Sequence, residues 1–71
     1  MKKLLKQYGF NSDMQYYEMT AESFTNGQQQ QAIEQFKALP KENRKAMVKS
    51  IANGNWNTPM KRETNILIDN I

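Results

Sequence analysis

Apolar residues recur along this chain at helical spacing, and glycine, proline and asparagine cut the pattern into five pieces. The first, "MKKLLKQYGF", predicts a short helix that closes at Gly9. A glycine there can take the left-handed position just past a helix, which sets Phe10 against Leu5 as in a Schellman ending. Asn11, Ser12 and Asp13 follow as N-cap candidates for the next helix. In "DMQYYEMTAESFTNG", residues advance by about 100° each around a helix. Met14, Tyr16, Tyr17, Ala21 and Phe24 then share one half of the wheel, with Gln15, Glu18 and Glu22 opposite. Tyr16 and Tyr17 are adjacent and therefore diverge, so at most one is expected to face the centre of a core. The other should lie at its edge or in solvent, with Tyr8 and Phe10 nearby.

Asn26-Gly27 reads as a stop and a turn. Beyond it, "QQQQAIEQFKAL" gathers Ala32, Ile33, Phe36 and Leu39 on one arc, and the four glutamines fill a first helical turn. Two amphipathic helices joined by so short a turn predict an αα-hairpin over about 14–39. Pro40 suits the first turn of a helix and disfavours the α conformation at Leu39. A new helix is expected in "PKENRKAMVKSIANG", ended by Asn53-Gly54. Thr58 as N-cap and Pro59 after it open the last helix, where Met60, Leu67 and Ile71 share a face with Ile68 at its edge. The run "ILI" at 66–68 resembles a strand, but no second strand-like segment exists to pair with it. The expectation is an all-α fold, a small bundle of four to five short helices forming one domain over 1–71, with no repeat and no linker.

Length sharpens this picture. At 71 residues, a chain buries only about 60% of the surface that its unfolded form exposes. Small scaffolds usually carry a staple, yet the chain has no cysteine and no histidine for a disulfide or zinc site. Stability must come from helix packing, self-association or a partner. The net charge is +3 and the pI about 9.3, mildly basic. Eight Asn and seven Gln make the chain amide-rich, so only its apolar periodicity argues against disorder. No apolar run has the length of a membrane span. Leu4 and Leu5 after the N-terminal lysines make no leader-like core, and a cytoplasmic protein is expected.

The candidate chemistry is thin. Without His or Cys, the commonest general base and the best thiol nucleophile are missing. Glu18 and Glu22 share a helix face, but one opposite the apolar arc, where carboxylates are solvated. The three glycines read as helix stops rather than as a phosphate cradle. A helical domain of this size is expected to have little room for a ligand pocket. No catalytic residue, cofactor or metal site is assigned, and the chain is not expected to be an enzyme.

What remains is contact. Lys41, Lys45 and Lys49 form an i, i+4, i+8 stripe that Lys37 and Arg44 can extend, a pattern suited to backbone phosphates. At most Asn43 and Arg44, at the start of that helix, could reach base edges, which is few for a recognition helix. Against this stand the modest charge, interleaved glutamates, and a Leu39-Pro40 turn lacking the glycine often found in a helix-turn-helix. The leading expectation is therefore a small non-enzymatic protein–protein interaction module. It would act as a regulator, inhibitor or assembly accessory of the kind that phages and mobile elements carry. A basic DNA-binding regulator is the alternative, and a homodimer fits either. Interface candidates are Tyr16, Trp56, Met60, Arg62, Ile68 and Ile71. Trp56 reads two ways, as a plug for the core or as an aromatic anchor. The terminal isoleucines either dock on the bundle or face a partner.

Overall fold

The computed structural model describes residues 1–53 and 61–71, with side chains in the second stretch from residue 64 onward. Among the described residues the chain forms five helices and no strand. Helix α1 is Lys2–Tyr8, α2 is Asp13–Thr25, α3 is Gln29–Lys37, α4 is Lys41–Ala52 and α5 is Lys61–Asp69. The all-α expectation holds, and "ILI" is helical.

Local sequence explains where the first four helices end. Gly9 is left-handed (φ 72°, ψ 27°). Its N–H donates to Lys6 O at 3.2 Å while Phe10 N–H donates to Leu5 O at 2.9 Å, the two bonds of a Schellman ending. The same pair closes α2: Gly27 (φ 79°) donates to Phe24 O and Gln28 to Ser23 O. At the start of α2, Ser12 is the N-cap, and the Gln15 side chain accepts from the Ser12 backbone N–H at 3.2 Å. Pro40 lies one residue earlier than a first-turn proline, as the N-cap of α4 with ψ 150°. Its carbonyl accepts from Asn43 and Arg44 N–H at 2.9 and 3.0 Å. Helix α4 ends at Ala52, before Asn53. The stop assigned to Gly54 and the start assigned to Thr58 and Pro59 lie outside the described residues.

The core is an α2–α3 hairpin closed over by α4 and α5. Tyr16, Tyr17 and Phe24 come from α2, Ala32 and Phe36 from α3, Leu39 from the turn after it, Met47 from α4 and Leu67 from α5. Helix α1 contributes no buried residue; Met1 before it and Leu4 and Leu5 within it pack, partly buried, against the core. The radius of gyration is 11.0 Å, against about 11 Å expected for a compact chain of this length.

Two expectations for α2 need correction. Tyr16 and Tyr17 are both buried, because α2 has neighbours on two sides. The Tyr16 hydroxyl donates to Gln35 O of α3 at 2.6 Å, whereas the Tyr17 hydroxyl accepts from the Asn43 amide of α4 at 3.1 Å. The buried arc is wider than the apolar residues alone imply and takes in Thr20 and Ser23. Their hydroxyls donate to carbonyls four residues back, Tyr16 O and Met19 O, so burial leaves neither unsatisfied. The arc correspondingly stops short of Met14, which is 40% exposed.

Candidate interaction surfaces

Asn43 shows how the interior uses its polar groups. It sits in the first turn of α4 and is buried, its amide donating to Asp13 Oδ2 and to the Tyr17 hydroxyl, both at 3.1 Å. The two bonds tie α4 to the start of α2. Gln35 does the same between α2 and α3. Its backbone carbonyl accepts from the Tyr16 hydroxyl, and its side-chain oxygen lies 3.1 Å from Ser23 Oγ, sharing with Met19 O the one proton of that hydroxyl. Buried amides satisfied in this way fix the register of the helices they join. Burial, and secondarily the neighbouring Tyr8, pushes the Tyr16 hydroxyl up to about 12. Burial also raises Tyr17; the Asn43 hydrogen bond opposes that rise and the Asp13 charge adds to it.

These contacts decide the fate of several sequence candidates. Tyr16 is fully buried, so it is a core residue and not an interface residue. Its ring lies edge-on to Tyr8 and Phe10, at 5.6 and 6.4 Å between centroids, which places those two aromatics at its margin as expected. Asn43 is turned inward and cannot read bases. Arg44 is half-buried, its Nη1 donating to Lys37 O at 3.3 Å. Its Nε is buried without a partner, so this guanidinium is committed to the α3–α4 corner.

Lys37, Lys41, Lys45 and Lys49 are all exposed. On α4 the last three lie opposite Met47, the fully buried residue of that helix, within an arc of about 80°. Ile71 is partly buried against the core beside Ile66, with Leu67 fully buried between them in sequence. The tail therefore docks. Ile68, 49% exposed, is the aliphatic residue that it leaves in solvent. Trp56 and Met60 lie outside the described residues, as does the side chain of Arg62.

Two surface depressions meet at Phe10. One, of about 440 Å³, is lined by Lys2, Leu5, Lys6, Gly9, Phe10 and Asn11. The other, of about 280 Å³, is lined by Phe10, Gln15, Glu18, Met19 and Glu22. Sequence reasoning, which expected little room for a ligand pocket, pointed to neither, because they depend on where α1 comes to rest beside α2. Both are shallow and open to solvent. Among the described residues no three His, Cys, Asp or Glu side chains gather as a metal site, and no helix is long and apolar enough to cross a membrane. No protein-family model, curated protein or solved structure matches this chain.

Proposed function

We infer that this chain is a small non-enzymatic module that works by occupying a surface of another protein, as a regulator, inhibitor or assembly accessory. The observation that carries the reading is Ile68. It stands half-exposed on α5 beside fully buried Leu67, on a helix held down by Ile66 and Ile71. An aliphatic side chain presented by a docked helix is already ordered, so a partner gains its burial without first ordering the segment. The buried amides and tyrosine hydroxyls, by contrast, are engaged in internal hydrogen bonds and serve the fold. The cytoplasmic setting expected from the sequence goes with this reading.

The test replaces Ile68 with a photo-crosslinking amino acid in an extract of the source cells. A protein adduct of one discrete mass is expected. Excess unlabelled wild-type chain should suppress it, and the unlabelled Ile68→Asp variant should not. Absence of an adduct, or equal suppression by both competitors, overturns the reading.

The outward lysines support a second reading, contact with a nucleic-acid backbone. With Asn43 and Arg44 turned inward, such contact would position the protein without selecting bases. Anisotropy of a labelled random-sequence duplex at about 50 and 200 mM salt tests it. Binding that weakens steeply with salt and is lost in Lys45→Glu/Lys49→Glu supports this reading. No binding at the lower salt removes it.

A further inference from the structure

We propose that the groove at the α1–α2 joint is a self-complementary surface on which a second copy of this chain docks, giving a two-fold symmetric homodimer. This surface is the two adjoining depressions that share Phe10, each with apolar residues in its lining and the two of opposite charge. Its floor is Leu5, Phe10 and Met19, each only partly buried by the chain's own core. The depression beside α1 carries a lysine wall, Lys2 and Lys6; the one beside α2 carries a glutamate wall, Glu18 and Glu22. All four charged residues are exposed, and they form no ion pairs with one another within the chain.

The spacing is matched as well as the sign. Both pairs are four residues apart on a helix, so each presents its charges one turn apart, about 6 Å along the axis. In a two-fold contact the same patch faces itself in reverse, and every residue pair occurs twice. Turning one copy over the other sets the lysine wall of each against the glutamate wall of its partner, with both apolar floors enclosed between. A polyanion or an acidic peptide would satisfy the lysine wall and be repelled by the glutamates. A basic partner would meet the reverse problem. A second copy satisfies both walls at once. Helix α1 also has the most to gain, since it buries no residue within one chain, and small scaffolds without disulfide or metal commonly draw stability from association.

Sedimentation equilibrium of the full chain at low and high salt tests this directly. The wild type should dimerise, and the dimer should weaken as salt screens the walls. Two variants reverse one wall each: Lys2→Glu/Lys6→Glu and Glu18→Lys/Glu22→Lys. These positions are exposed, so circular dichroism should show unchanged helicity. Each variant alone should dissociate at least about tenfold more readily, because like walls now meet. Mixed in equal amounts, the two should recover a heterodimer, since each copy again faces opposite charge. A wild type that stays monomeric overturns the proposal. So does a dimer indifferent to both reversals, or a mixture that fails to re-associate. None of these outcomes depends on Ile68, so failure here leaves the α5 surface to stand or fall on its own test.

Discussion

Asn43→Ala should destabilise the protein far more than its place in a lysine-rich, outwardly polar segment implies. In the native structure its amide donates to Asp13 and to the Tyr17 hydroxyl. Truncation affects those two acceptors differently. Asp13 is exposed and recovers water. Tyr17 is only 4% exposed, so its hydroxyl stays inside without its partner, at a cost of about 1–3 kcal/mol. With the lost packing of the side chain, about 2 kcal/mol is expected in total, against a whole stability of about 4–10 kcal/mol for a chain this size. At about 4–8 °C per kcal/mol, the melting temperature should fall by about 8–16 °C. Urea unfolding followed at 222 nm measures the change. The decisive comparison repeats it in a Tyr17→Phe background. There no hydroxyl is left to strand, so Asn43→Ala should cost about 1 kcal/mol less. An Asn43→Ala cost under about 0.5 kcal/mol, or an equal cost in both backgrounds, would refute the role assigned to this hydrogen bond.

Two further outcomes follow from the same packing. The Tyr16 hydroxyl ionises at about 12 when folded, against 10.0 when free, and Tyr17 is also raised. The folded chain therefore keeps protons that the unfolded chain releases. Stability should be intact below about pH 10 and decline as pH rises from there through about 12. Urea unfolding stepped through that window should show a shallower decline in Tyr16→Phe; an unchanged slope would contradict the assignment. On α5, Leu67→Ala should cost about 2–5 kcal/mol, since Leu67 is fully buried. Ile68→Ala should stay within about 0.5 kcal/mol, and similar costs for the two would refute the docking of this helix.

The candidate surfaces divide by how far each depends on neighbours. Lys41, Lys45 and Lys49 were legible as an outward stripe, because i, i+4 spacing on one helix is a local property. Ile68 was placed at the edge of its helix face for the same reason, and it stands in solvent. The groove at Phe10 was not legible. Glu18 and Glu22 could be placed together on one face, and Lys2 and Lys6 are likewise four apart. That the two pairs line adjoining depressions on either side of Phe10 depends on where α1 comes to rest beside α2.

Local signals in the sequence set several helix limits: Gly9 and Gly27 end theirs in left-handed geometry, Pro40 precedes another, and apolar spacing marks Phe36, Leu39 and Leu67 as core. Each is governed by backbone sterics or by periodicity within one segment. Which polar residues are buried depends on how the helices pack against one another. Asn43, Gln35, Thr20 and Ser23 are polar, and a polar side chain belongs in water unless it finds a partner; for Asn43 and Gln35 the partner lies on another helix. Tyr16 and Tyr17 diverge around α2, yet both are enclosed because α3 and α4 approach from different sides. That arrangement depends on which helices meet, and no single segment carries it.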